Sequence, residues 1–318
     1  MYNEELKTQF IRQYTTKIST ADFAVDMFNY LEQFENKYGS DYACMTKEQA
    51  SDAVSSIQTL RASSMESRSA ILKAYVRWNI DNGTENANKE LLSVEFHGFS
   101  HIRSMMVKDP AHLARILNKV YAPVKDGTVE NLYRFYIWMF YSGMKEDQIF
   151  LCKRGNIDYK RMEISVGDQR FPIYREELDV IVFCADAKEI AERNPLMVNV
   201  RDTIPRRPGD ELYRGARNAT SASAARVSAT TLITSAYNNG LIDVKLTRKS
   251  VRLSGIFYRM YEREMNGFPV DFTEDAINEM RGKTYKTNDR FTIGVKRVRI
   301  IRDFELDYAN WKEAFNLE

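Results

Sequence analysis

The sequence predicts a mainly α-helical protein with one small β-sheet, divided into two domains. Three observations carry this expectation. The 318 residues suffice for two separate cores, and 44% hydrophobic with 28% charged content is that of an ordinary globular chain. Apolar residues recur mostly at the three-to-four spacing of amphipathic helices, whereas alternation with period two is confined to residues 161–174. The run DNGTENANK, Asp81 to Lys89, is polar, contains Asn-Gly and lacks an apolar anchor, so it reads as an interdomain linker. The expected boundaries are a helical domain over 1–84, a linker over 85–94 and a second domain over 95–318.

The elements follow in order. Phe23, Met27, Tyr30 and Phe34 mark a helix over 20–36, and Gly39-Ser40-Asp41 turns after it. Thr46 is placed to cap a helix running through Ile57 and Leu60, with Glu48 in its first turn. Ile71, Ala74, Tyr75 and Trp78 share one face of a helix over 65–80, while Arg68, Lys73 and Arg77 spread over the rest. The first domain is therefore a unit of roughly four helices. The second opens with helical segments around His101–Met106 and Ala111–Tyr121. The run Leu132–Tyr141 is apolar nearly all round, as a helix buried on most sides would be, and Ser142-Gly143 ends it. In 161–174, Ile164 and Val166 alternate with polar residues, Gly167-Asp168 turns, and Phe171 and Ile173 return. Pro172 places the second strand at an edge. A helix is expected over Glu176–Ala191, a Pro/Arg-rich loop over Pro195–Gly209 and a helix over Ala222–Asn238. FELDYANWKEAF closes the chain as an amphipathic tail.

Charge is distributed unevenly. The net charge is only +2, so affinity for a polyanion must come from clusters. From Arg281 to Arg302 there are eight Lys or Arg residues and one acid, Asp289. The first 50 residues carry eight acids and five bases. The most informative cluster is TRKSVRLSGIFYRMYER, residues 247–263. As a helix it places Arg248, Arg252, Arg259 and Arg263 in one stripe, with Leu253, Ile256, Phe257 and Met260 on a face about 100° away. Thr247 is the N-cap candidate. Gly255 lies on the arginine face, where a larger side chain would hold another backbone at a distance. A solvated charged face is the commonest role for such a stripe, but Glu262 and Glu264 are the only acids nearby. A phosphodiester backbone is the natural partner for such a row.

Other chemistries find little support. Cys44, Cys152 and Cys184 are too few and scattered for a disulfide framework or zinc site, and a reducing cytoplasm is expected. The N-terminus lacks a signal-peptide pattern, and no apolar run approaches membrane-spanning length. His97 and His101 have helical ligand spacing, but Gly98 stands where a zinc protease needs Glu. His112 has no assignable nucleophile partner. Glycine-rich phosphate loops and nucleophile elbows are missing, so no cofactor and no metal are expected.

Read in order, the second-domain motifs resemble those of tyrosine recombinases (phage integrases). The segment S-G-M-K-E-D-Q-I-F-L is similar to the T-G-L-R-x-S-E-L segment carrying their first catalytic arginine. G-N-I-D-Y-K and F-P-I resemble the family's turn, hairpin and strand, and L-T-R-K-S-V-R-L-S resembles its L-T-P-H-D-L-R-H-T box. The first domain, with its late helix S-A-I-L-K-A-Y-V-R-W, resembles the helical core-binding domain. The resemblance implies two domains clamped around duplex DNA.

The departures bear on activity. In the family a tyrosine attacks a phosphodiester while arginines, a lysine and histidines stabilise oxyanions and move protons. Here the matching positions are Lys145 for the first arginine, Gln148 for the acid, Lys249 and Leu253 for the box histidines, and Lys283 for a later histidine. Arg252 survives, and the nucleophile position falls at Phe291. A phenyl ring cannot attack phosphorus, and a lysine cannot reproduce a bidentate arginine. A different alignment makes Tyr285, 33 residues beyond Arg252, the nucleophile of an active recombinase; Tyr308 is a weaker candidate. The expectation adopted is a phage or prophage repressor that binds operator DNA without cleaving it. Its expected DNA contacts are Arg68, Lys73, Arg77, Lys145, Arg248, Lys249, Arg252, Arg259, Lys283 and Arg290. Self-association through the C-terminal tail is a further expectation.

Overall fold

The computed structural model describes residues 1–96, 100–193, 201–214, 222–270, 272 and 290–318. The described residues are mainly helical, with two small antiparallel sheets, and fall into two compact units, Met1–Ile102 and Arg103–Glu318.

The first unit contains α1 (Glu4–Tyr14), α2 (Ile18–Tyr38), α3 (Lys47–Ser55) and α4 (Ala62–Asp81). The helix α2 buries Ala24, Met27, Phe28 and Leu31, a contiguous stripe at helical spacing. Phe23, Tyr30 and Phe34 flank that stripe and are only partly buried. Gly39 ends the helix at φ 62°, a left-handed conformation open to glycine. Thr46 caps α3 reciprocally: its Oγ1 accepts from Gln49 N at 3.3 Å, and its own N donates to Gln49 Oε1 at 2.9 Å. That helix stops at Ser55 rather than Leu60, and the buried Ile57 lies beyond its end. Phe10, Phe28 and Tyr75 meet edge to face, with Phe28 and Tyr75 centroids 4.9 Å apart.

A buried polar network ties α1 to this core. Lys7 Nζ donates to both carboxylate oxygens of Glu35 at 2.5 Å, and Asp41 accepts from Tyr75 Oη at 3.0 Å. The polar run after α4 also belongs to the first unit. Asn88 N donates to Ala43 O at 2.8 Å, and Leu91 and Val94 are buried in the same core. His101 lies against Thr59, whose N donates to its Nε2 at 2.8 Å, and burial pulls its pKa down. His97 and Gly98 lie outside the described residues.

The second unit is organised around α6 (Glu130–Tyr141), which packs against α8 (Leu178–Asp186), α9 (Ala222–Asn238) and α10 (Arg248–Met265). From Leu132 to Met139, Leu132, Phe135, Tyr136, Ile137, Trp138 and Met139 are at most 1% exposed, as expected for a helix covered on several sides. Before it, α5 (Pro110–Val120) starts at the Asp109 cap, which accepts from His112 N at 2.7 Å. After it, α7 (Glu146–Leu151) leads to the sheet β1 (Ile157–Asp158), β2 (Glu163–Val166) and β3 (Gln169–Pro172). The register pairs Glu163 with Pro172 and Val166 with Gln169, Gly167 turns at φ 59°, and Pro172 lies on an edge strand.

Three further expectations need correction. The helix expected to reach Ala191 ends at Asp186, and Glu189–Arg193 is a strand, β4. It pairs with Arg201–Pro205, β5, inside the stretch expected to be a loop. Neither segment alternates clearly, and the hairpin is anchored by a tertiary bond from Ala191 N to Gly127 O at 2.9 Å. The tail is longer than expected: Arg290–Ala314 is one helix, α11. Its Phe304, Tyr308 and Trp311 pack onto Phe257 of α10, and Trp311 Nε1 donates to Val107 O at 3.2 Å.

Candidate nucleic-acid interface

The arginine segment forms α10 as expected. Thr247 caps it, Oγ1 accepting from Ser250 N at 3.1 Å, and Leu253, Ile256, Phe257 and Met260 are buried. Gly255 explains how α10 docks. A Cβ added there would lie 1.8 Å from Tyr141 O and 2.7 Å from Tyr141 C, so only glycine admits the end of α6 at this distance.

This close approach divides the arginine stripe. Arg248 Nη1 donates to Glu146 Oε2 at 3.0 Å, and the other oxygen of that carboxylate accepts from Tyr136 Oη at 2.8 Å. Arg252 Nε donates to Gly143 O at 3.0 Å, and Arg259 Nη1 to Tyr141 O at 2.9 Å. Tyr141 O is the last carbonyl of α6, at the negative end of its dipole, and Gly143 O lies two residues beyond it. Arg263, one turn further, is exposed. Thus the acid that meets Arg248 comes from α7, outside the segment.

The electrostatics follow from partial burial. Burial pulls the pKa of Arg252 down, and the neighbouring positive charge of Arg259 adds to this. Tyr174, just after the hairpin, is pushed up to about 12 by burial, against the opposing pull of the nearby positive charge of Arg259. Gly143 has φ 102°, and a Cβ on it would lie 2.8 Å from Arg259 Nη2. Lys145, two residues further, is exposed at the N-cap of α7, with its backbone N donating to Gln148 Oε1 at 2.8 Å. Gln148, at the family's acidic position, therefore caps a helix.

The structure thus brings Arg252 and Arg259 to the end of α6 and Arg248 to Glu146 at the start of α7, with Lys145 exposed just before it and Lys249 exposed at the start of α10. Four half-buried or exposed cations on a fixed backbone can hold an oxyanion such as a phosphate. Sequence reasoning missed Glu146, Gly143 and Tyr174, because their partners lie about a hundred residues away and no periodicity links them. In the first unit Arg68 is half-buried, its guanidinium 5.8 Å from the Phe23 ring centroid, and burial pulls its pKa down. Its Nε is buried without a hydrogen-bond partner among the described residues. Lys73 is half-buried and Arg77 exposed on the same helix, α4. Lys283 and Tyr285 lie outside the described residues, and so do the side chains of Arg290 and Phe291. Tyr308 is buried, its Oη donating to Glu264 Oε2 at 2.7 Å.

The described residues form a mainly helical fold with small sheets, and the family match over the first unit fits a two-domain, recombinase-like fold. Residues 1–81 match the family described as MrpR, N-terminal core-binding domain. The match lies wholly within the first unit and identifies it as a recombinase-like core-binding domain. Among curated proteins no match to the chain is found. Among the described residues, no helix is long and apolar enough to cross a membrane.

Proposed function

We propose that this protein binds duplex DNA sequence-specifically, as a phage or prophage transcriptional repressor that has kept the recombinase-like fold and lost cleavage. The observation that carries the reading is that Arg252 and Arg259 are held at the end of α6, and Arg248 on Glu146 next in sequence to the exposed Lys145, in a chain whose first unit is a core-binding domain. Fixed cations on a docked helix suit a phosphate backbone, and a second module bearing Lys73 and Arg77 adds contacts elsewhere on the duplex. Occupying an operator in this way excludes polymerase.

The loss of chemistry is argued from residue types. Transesterification needs a nucleophile, proton-transfer groups and bidentate oxyanion contacts. Lys145, Lys249, Leu253, Lys283 and Phe291 stand at the positions that matter. Such a protein works in the bacterial cytoplasm, on operator sites, without a cofactor.

The decisive experiment is a trapping assay on bound supercoiled and linear DNA. Salt-dependent, reversible binding with no covalent adduct is expected, and Tyr285→Phe is expected to leave binding and repression intact. A phosphotyrosyl adduct abolished by Tyr285→Phe would establish the active-recombinase alternative. Mapping of bound sites in a host cell checks the repressor role: occupancy is expected over promoters.

A further inference from the structure

We propose that the groove between the end of α10 and the last helix, α11, is a docking site for a basic amphipathic helix of a partner protein. The inference goes beyond DNA binding and does not depend on it. The groove has a volume of about 700 Å³. One wall is a face of α11, where Glu305, Ala309 and Glu313 follow at four-residue steps and so share one side of the helix. The other wall is the segment that leaves α10. Gly267 turns it at φ 78°, with Gly267 N donating to Glu264 O at 2.9 Å and Phe268 N to Arg263 O at 3.0 Å. This pair of bonds is a Schellman cap, and it fixes the backbone that carries Phe268. Phe272 then packs onto Tyr308 of α11, ring centroids 6.1 Å apart, and ties the two walls together. An apolar residue after such a cap commonly folds back onto the last turn of its helix. Here that turn offers Glu262 and Arg263 instead, and Phe268 stays 60% exposed on the groove, with Met265 beside it in sequence 64% exposed. A fixed, exposed aromatic ring at an apolar groove is the kind of anchor that a partner buries.

Charge decides the occupant. Lys312 is the one cation among the described residues that line the groove, and it is committed to Glu264: its Nζ lies 3.0 Å from Glu264 Oε2, which also accepts from Tyr308 Oη. Glu305, Glu313 and Glu318 are exposed along the same groove, and among the described residues they form no ion pair. Uncompensated carboxylates thus rim an apolar floor. They repel phosphate, which disfavours duplex DNA as the occupant. A second copy set face to face by a two-fold axis would bring the same acids against each other. The complementary partner carries apolar side chains at helical spacing, flanked by Lys or Arg. Glu305 and Glu313 lie about 12 Å apart along α11, a distance that two turns of a docked helix match.

The test uses the full-length protein and two labelled synthetic helical peptides with the same leucine face, one flanked by Lys and Arg and the other by Glu. Binding is read by fluorescence anisotropy across salt concentrations, beside thermal unfolding of each variant. The basic peptide is expected to bind with a Kd of about 1–100 μM, at least about tenfold tighter than the acidic one, and to weaken as salt rises. Glu305→Lys combined with Glu313→Lys is expected to lower affinity for the basic peptide about tenfold and to raise it for the acidic one. Phe268→Ser removes an exposed ring, and is expected to weaken the basic peptide about tenfold while leaving thermal unfolding unchanged. Should the charge-reversed variant not fold, Glu305→Gln with Glu313→Gln takes its place. No binding of the basic peptide at about 100 μM would overturn the proposal, as would affinity that Phe268→Ser and the charge changes leave within about twofold. Self-association of the unaltered protein in sedimentation, abolished by Phe268→Ser, would make a second copy the occupant and overturn it equally. DNA affinity, measured separately, bears on the proposed function and leaves this inference untouched.

Discussion

At Gly255 and Glu177 the surroundings constrain which side chain can stand there. An alanine at 255 must displace a backbone carbonyl rather than a flexible side chain, since its Cβ would lie 1.8 Å from Tyr141 O. Overpacking of this kind costs about 1–3 kcal/mol, and Gly255→Ala is expected at or above the upper end. Urea denaturation measures it, and a negligible loss would show that α10 can lift away freely. Glu177 is fully buried, with Oε1 accepting from Tyr174 N at 2.8 Å and Oε2 lacking a partner. Burial pushes its pKa from the ordinary 4.5 up to about 8. Below pH 4.5 the carboxyl is protonated in both folded and unfolded chains, and its stabilising contribution is complete. Between 4.5 and about 8 the unfolded chain releases the proton first, so stability falls with rising pH by up to about 1.4 kcal/mol per unit. Glu177→Gln is expected to remove that slope and to be the more stable form above pH 8. Parallel pH profiles for the two proteins would contradict the assignment.

At the scale of elements, arginines finish two helices whose carbonyls would otherwise lack donors. Arg259 does so for α6 at Tyr141 O, and Arg252 holds Gly143 O just beyond that helix. Arg206, only 5% exposed, does so for α8, donating to Cys184 O at 2.9 Å and Ala187 O at 3.1 Å, and it also reaches Leu212 O at 2.9 Å. Arg206→Ala leaves these acceptors buried and unsatisfied, at about 1–3 kcal/mol for each group. A loss of at least a few kcal/mol in thermal or chemical denaturation is expected, with no effect on DNA affinity once folded. The last helix is held through Trp311, which is 0% exposed and stacked beside Tyr308. Trp311→Ala is expected to cost about 3–5 kcal/mol, and earlier protection loss in α11 than in α6 by hydrogen exchange would locate the effect.

On the scale of the whole molecule, the two units have separate cores, and Asn88 to Val94 packs with the first. A fragment ending at Ile102 is therefore expected to unfold cooperatively by itself, with its Lys7–Glu35 pair intact. Both units are expected to contribute to DNA binding, because a covalent link makes the second contact intramolecular. A fragment starting at Arg103 should bind much more weakly than the full chain at equal salt. Full affinity from that fragment would refute a contribution from the first unit, and Lys73→Ala with Arg77→Ala is the corresponding test in the intact protein.

Local physics made part of this protein legible from the chain alone. Helical periodicity located α2, α4 and α10, an all-round apolar run located α6, the Thr46 and Thr247 hydroxyls marked helix starts, and Gly167 with Pro172 placed the hairpin turn and its edge strand. Gly255 on the arginine face announced a close backbone approach, because glycine is the one residue without a Cβ to prevent it. What met that glycine was decided only in three dimensions. Nothing near Arg248 pointed to Glu146, and nothing near Arg259 pointed to Tyr141, since hydrogen bonds between distant segments leave no periodic trace. The same reason hid β4 and β5, whose strands are held by each other and by Gly127 rather than by alternation of their own. A sequence of charges along α10 thus specified a row of cations, and the packing of α6 against it determined which of them are tied down and which converge.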